Sequence, residues 1–212
     1  MDILKIIQFH KDTKTQLQAK ILNLANELEA KYQLINDLTT ILSDQNNIKL
    51  NEQQINSFIF SVGIGSLNRL ERFYFWSKYL PSHLYWKYLS EAFIMSDNLY
   101  EFKDQVKELF SSTLPDRDQL MTAKELKYFK TLPDTLTIYR AMTIKESLSK
   151  DYGISWTLDK KVAEYFRDKY KRNYSSENEH KTIIELKVNK CDLIAFIDRR
   201  KEAEVIYLHN SK

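Results

Sequence analysis

The sequence predicts an α+β protein, a helical N-terminal half followed by a small strand-rich unit, and three observations carry that prediction. Glycine and proline are scarce, three of each in 212 residues, which argues for long helices and against a turn-rich all-β sandwich. Apolar residues recur at helical spacing through the first half. After Pro133 the texture changes to short runs of β-branched and aromatic residues. The expected division is a helical region over 1–130, packing on and supplying contacts to an α+β unit over 131–212.

Each element has its own local justification. From Ile3 to Leu42, the series Leu17, Ile21, Leu24, Leu28 and then Leu34, Ile35, Leu38, Ile41 predicts one long amphipathic helix or a pair. The polar stretch Ser43–Asn51 breaks it. A second helical stretch runs from Glu52 to Leu80, weakened in its middle by Gly63 and Gly65, which mark a kink or a close approach. Pro81 suits the start of a helix over Ser82–Met95. Shorter amphipathic helices follow at 98–112 and 122–132, the latter with Thr122 as N-cap and Glu125 three residues on. Then Thr135–Met142 and Gly153–Leu158 read as strands joined by a loop. "DKKVAEYFRDKY" reads as a helix capped by Asp159, turning Val162, Ala163 and Phe166 inward. "TIIELKV", "DLIAFI" and "AEVIYL" read as three further strands.

Composition narrows the function classes. With Cys191 as the single cysteine, no disulfide can form within the chain, which suits a reducing cytoplasm; Cys191 itself reads as a small core residue. No stretch approaches the ~18 apolar residues of a membrane helix, and the start lacks a basic segment followed by an apolar core. His10, His83, His180 and His209 are scattered without partners at ligand spacing, so no metal is expected.

Three short pieces of the C-terminal unit carry the chemistry. Arg140 stands near the end of "TLTIYRAM", a strand that is otherwise core. In "GISWTL", Ser155 and Thr157 share one strand face while Trp156 takes the other. In "DRRKEAEVIYL", Glu202 and Glu204 are expected on one strand face, two like charges that repel. Alone, each piece reads equally as a structural ion pair, an exposed sheet-edge hydroxyl or an exposed edge-strand pair. In order, they are more specific.

That order, Arg then Ser-x-Thr then Glu-x-Glu, resembles the mono-ADP-ribosyltransferase superfamily over residues 135–208. The departure is Trp156 where the family has a small or hydroxyl residue, with Thr157 in place of the last serine. The resemblance implies a split β-sandwich with NAD+ as co-substrate in the cleft between its sheets. It implies Arg140 at the NAD+ phosphates and ribose, Ser155 shaping the nicotinamide-side pocket, and Glu204 on the nicotinamide ribose. Glu202 would act on the acceptor. Tyr139, Trp156, Thr157 and Phe166 complete the expected NAD+ contacts, although Trp156, Tyr165 and Phe166 also read as core.

The acceptor is read from charge. Residues from Ile138 onward carry 16 Lys/Arg against 12 Asp/Glu. Arg199, Arg200 and Lys201 precede Glu202 on the segment that faces the acceptor in the family. With the aromatic residues interleaved through 160–174, this basic rim points to nucleic acid, RNA in particular. A Glu at the first place of the pair points instead, by resemblance, to protein arginine. NAD+ hydrolysis and a non-catalytic binding module are the other readings. The resemblance extends to bacterial toxins and phage-defence effectors, so the helical half is a candidate surface for a neutralising antitoxin or chaperone-like partner.

Overall fold

A computed structural model describes residues 49–209 apart from 62–63, 98, 100–101 and 170–179. The described residues belong to one compact unit beginning at Lys49. The amphipathic pattern of Ile3–Leu42 and the basic, tyrosine-bearing stretch from Tyr170 to Tyr174 lie outside the described residues.

The fold is a helical layer followed by one antiparallel five-stranded sheet, an α+β architecture. Helix α1 (Glu52–Ile59) starts at a capping box in which Asn51 and Gln54 bond each other's backbone N–H groups. Helix α2 (Arg69–Trp76) runs into a 3-10 turn at Ser77–Tyr79. The expected continuous helix over 52–80 is therefore two helices with a break between them. Gly65 lies in that break with no atom within 4 Å of where a Cβ would stand, so close packing is not its reason.

Helix α3 (Ser82–Ile94) is the core of the helical layer, burying Leu84, Tyr85, Trp86, Tyr88, Leu89, Ser90, Ala92 and Phe93. A helix buried on most sides must find partners for its polar atoms. Trp86 Nε1 donates to the Pro115 carbonyl at 2.8 Å, and Ser90 Oγ to that of Leu120 at 2.7 Å. Helix α4 (Lys103–Phe110) docks through Val106, Leu109 and Phe110, with the Phe93 and Phe110 rings edge to face at 5.2 Å. Helix α5 (Ala123–Thr131) begins at the expected Thr122–Glu125 capping box and reaches the sheet through Tyr128, 4.5 Å from Phe196.

Strand β1 (Thr135–Thr143) is followed by helix α6 (Ile144–Ser149), where the sequence reading had a loop. Its signal was present: Thr143 caps the N–H of Glu146, a Thr-x-x-Glu start. Strand β2 (Ser155–Thr157) leads to helix α7 (Lys160–Asp168), capped by Asp159 as expected. Ala163 is buried there, whereas Val162 and Phe166 are half-buried. Strands β3 (Lys181–Asn189), β4 (Leu193–Ile197) and β5 (Glu204–Tyr207) complete the sheet.

The strand order is β3-β1-β2-β5-β4. β1 pairs with β3 along its whole length, from Thr135↔Asn189 to Thr143↔Lys181. β1 meets β2 at one pair, Tyr139↔Thr157. β2 then pairs with β5 from Ser155↔Ile206 to Thr157↔Glu204. The sheet is thus two ribbons joined at a narrow waist, and the waist holds Tyr139, Thr157 and Glu204 in one row. Cys191 is exposed in a 3-10 turn before β4, not in the core.

Candidate active site

Residues directly opposite one another in an antiparallel ladder share a face. Tyr139, Thr157 and Glu204 therefore project together, and Ser155 joins them by strand alternation. Ser155 Oγ donates a short hydrogen bond to Glu204 Oε1. The other carboxylate oxygen, Oε2, accepts from Arg200 Nη2 at 2.8 Å. Glu204 is only 2% exposed, so this hydroxyl and this guanidinium replace the water it has lost.

Glu202 is placed differently from expectation. β5 begins at Glu204, and Glu202 lies in the preceding bend. Lys201 and Ala203 have φ of 57° and 44°, in the left-handed region, so strand alternation does not set the relation between the two glutamates. The bend is held by Thr157 Oγ1, which donates to the Glu202 carbonyl at 2.7 Å, and by Ala203 N, which donates to Asp198 Oδ1 at 3.1 Å. Arg200 Nε lies 3.2 Å from Glu202 Oε2 while Nη2 holds Glu204. One guanidinium thus bridges both carboxylates, a role the sequence reading did not assign. Burial pushes the Glu202 carboxyl above the ordinary carboxylate value; Arg200 opposes the shift and Glu204 adds to it.

The loop carrying these groups is anchored to the helical layer. Glu125 Oε1 accepts from Asp198 N at 2.7 Å and lies 3.4 Å from Arg199 Nε. Arg199 also donates to Ser90 Oγ and, at 2.9 Å, to the Leu120 carbonyl. Arg199 therefore points into the helical layer, which corrects its expected place on the acceptor rim. Arg200 reaches the carbonyl of Ile94, at the C-terminal end of α3, at 3.5 Å.

A cleft of about 320 Å³ opens beside Glu202, with the buried Glu204 set behind Arg200. One wall is α7, with Lys161, Val162, Tyr165 and Phe166; the other is the loop, with Arg200, Lys201 and Glu202. Tyr139 lies under the same helix, with Lys160 Nζ 5.8 Å from its ring centre.

Arg140 and Trp156 belong to a second cluster. Arg140 alternates with Tyr139 and shares its face of β1 with the buried Leu136, Ile138 and Met142. Its Nε bonds Glu146 Oε1 at 3.0 Å, and Nη1 donates to the Ser155 carbonyl at 2.7 Å. Glu146 Oε1 also accepts from Gly153 N at 2.9 Å. A Cβ at Gly153 would stand 2.5 Å from Arg140 Nη2, so glycine is what lets the guanidinium pass. Arg140 thus braces the strand that carries Ser155. Trp156 is 2% exposed, donates from Nε1 to the Gly153 carbonyl at 3.1 Å, and meets Tyr152 and Tyr207 edge-on. It faces away from Ser155 and Glu204, so its place is in the core rather than against a ligand on their face.

Chemically, Glu204 is a fixed, oriented negative charge, suited to a centre where positive charge develops. Glu202, half-buried with its proton affinity raised, is suited to accept a proton. Among the described residues no cluster of three His, Cys, Asp or Glu could hold a metal ion, and no helix is long and apolar enough to cross a membrane. No protein-family model, curated protein or solved structure matches this chain.

Proposed function

We propose that the chain is an NAD+-dependent mono-ADP-ribosyltransferase acting on a macromolecule, with nucleic acid as the favoured acceptor. The observation that carries the reading is the buried Glu204 carboxylate, held by the Ser155 hydroxyl and tied through Arg200 to Glu202 at the mouth of a cleft. The described strands form one five-stranded sheet, narrowed to a single pair at Tyr139↔Thr157, so the reading rests on this carboxylate site and not on the split-sandwich form.

NAD+ supplies an ADP-ribosyl group on a leaving group, nicotinamide, which departs with the electron pair of the bond between ribose C1′ and the ring nitrogen. Glu204, oriented by Ser155, stabilises the positive charge developing at C1′ and hydrogen-bonds a ribose hydroxyl. Glu202 takes the proton of the acceptor as its lone pair forms the new bond to C1′, a contribution of typically ~10²–10⁴-fold. Arg200 is within reach of a phosphate if it releases either carboxylate. Arg140, engaged by Glu146 and the Ser155 carbonyl, supports β2 from behind. The fit is better for the ribose end of NAD+ than for its pyrophosphate, because both guanidinium groups near the waist already have carboxylate partners.

That same pairing favours a second reading, a non-catalytic binding module whose charges are satisfied within the fold. One experiment separates the two. Wild type and Glu204→Gln are incubated with cell lysate and NAD+ labelled on its adenylate half, followed by protease or nuclease treatment. Glu204-dependent label removed by nuclease supports the proposal, and label removed by protease moves the acceptor to protein. NAD+ loss without incorporation makes the enzyme a hydrolase. Neither loss nor incorporation, from folded chain freed of any partner, leaves the binding module.

A further inference from the structure

We propose that the cleft between α7 and the β4–β5 loop takes one unpaired nucleotide of a single-stranded nucleic acid, its base stacked on Tyr165 and its phosphates drawn to Lys161 and Lys201. The role of Glu202 towards that nucleotide rests on the transferase reading; the binding itself does not.

Tyr165 is 55% exposed, although the inward face of its helix is made by Ala163 with Val162 and Phe166. Its ring is steadied by Phe166, edge to face at 5.8 Å, and lines the cleft instead of the core. An exposed, braced aromatic ring is a stacking platform for any base. The flanking charges set the ligand's sign. Lys161 stands on one wall and Lys201 on the other, and among the described residues neither ammonium is in an ion pair. Arg200 is shared between Glu202 at 3.2 Å and Glu204 at 2.8 Å, which leaves one negative charge for the two lysines to outweigh. A guanidinium acceptor would also suit an aromatic face and a carboxylate, but it would enter between two like charges. A polyanion with a flat base meets both features with attraction.

Size argues for one unpaired nucleotide. About 320 Å³ lies at the lower end of ligand pockets, which span ~300–1,000 Å³. A base in a duplex has both faces stacked and cannot present one to Tyr165, whereas single strands splay their bases out.

The test measures binding without NAD+, by fluorescence anisotropy of a labelled single-stranded RNA 12-mer, the same strand in a duplex, and an arginine-containing peptide. The full-length chain is compared with Tyr165→Ala, Tyr165→Phe and Lys161→Ala/Lys201→Ala, each checked for fold by circular dichroism. The single strand should bind more tightly than the duplex or the peptide. Tyr165→Ala should weaken it about 5- to 150-fold, the loss expected for one stacked base, and Tyr165→Phe should restore it. The double lysine variant should lower the slope of log affinity against log salt by about 1.4, at ~0.7 per phosphate contact. Single-strand binding indifferent to Tyr165→Ala, equal affinity for the duplex, or preference for the peptide each overturns the proposal. NAD+ turnover with Tyr165-independent binding would sink the cleft and leave the transferase. Tyr165-dependent binding with no NAD+ turnover would do the reverse.

Discussion

Glu125 is far from the cleft in sequence, yet replacing it should disturb the loop that forms one wall. Its carboxylate is buried and accepts from Thr122 N and Thr122 Oγ1 at 2.8 Å each, and from Asp198 N at 2.7 Å; Arg199 lies 3.4 Å away. Hydrogen bonds to a charged group contribute roughly 1.5–3 kcal/mol each, but removing the shared acceptor does not cost their sum, because Thr122 and the half-exposed Arg199 can turn to water. The Asp198 N–H cannot do so as easily. A loss of about 3 kcal/mol for Glu125→Ala is the consistent figure, at the lower end of the ~3–5 kcal/mol for breaking a buried pair. For a unit of this size, ~2–4 °C per kcal/mol makes that a fall of about 6–12 °C in Tm. Glu125→Gln keeps the shape and should lose less, about half as much. Burial alone would raise the Glu125 carboxyl; the Thr122 and Asp198 N–H groups, the Thr122 hydroxyl and Arg199 outweigh it and hold the group below its ordinary value. A depressed acid contributes its full stabilisation above the unfolded pKa and loses it as pH falls through the folded one. The gap between wild type and Glu125→Gln should therefore be widest at pH 6–7 and close in strong acid. Thermal unfolding followed by circular dichroism across pH 2–7 reads both effects. A gap independent of pH, or a Tm for Glu125→Ala within 2 °C of wild type at pH 7, would refute the reasoning.

Three other outcomes follow from the same geometry. Arg200→Ala removes the cation between Glu202 and Glu204, so the acid limb of any NAD+-dependent activity should move to higher pH; a pH–rate profile that merely drops in height would count against the bridge. Gly153→Ala puts a Cβ 2.5 Å from Arg140 Nη2 and 2.9 Å from Cζ, which should cost about 1–3 kcal/mol as an overpacked site and is read by denaturant unfolding. Thr122→Ala removes the α5 cap at ~0.5–2 kcal/mol, read as a lowered Tm by circular dichroism.

What was legible in the sequence was local. Strands β1 to β5 and the Thr122 and Asp159 caps follow from periodicity and residue type, because alternation and capping act over a few residues. Motif order singled out Ser155 and Glu204 separately; the hydrogen bond between them does not follow from it, because it depends on β2 pairing with β5. Nor do the brace by Glu146 and the anchor by Glu125, since each depends on which distant elements pack together. Glu146 stands in what read as a loop, and Glu125 read only as a capping residue, yet both are 4% exposed because each also answers an arginine or N–H from elsewhere. Arg199 and Arg200 are adjacent and chemically alike in sequence. Strand-end geometry sends one into the helical layer and the other between the glutamates.

The repulsion between Glu202 and Glu204 is resolved by two devices together. Starting β5 at Glu204 frees Glu202 from strand alternation, and the left-handed Lys201 and Ala203 turn the chain so that Arg200 can fold back over both carboxylates. Neither residue is glycine, so the bend stores strain of order 1–3 kcal/mol per position, offset by the bonds from Thr157 and Asp198 that hold it. If the strain served only to relieve two like charges, replacing Glu202 would be the simpler solution, and Ala203→Gly would then stabilise the fold at no functional cost. If instead the bend exists to present Glu202 to a ligand in the cleft, the Ala203→Gly variant, which keeps the Lys201 charge, should gain stability or hold it while losing acceptor modification. Tm and labelled-acceptor assays on that one variant distinguish the two. Raised Tm with full activity would show that the bend is structural alone.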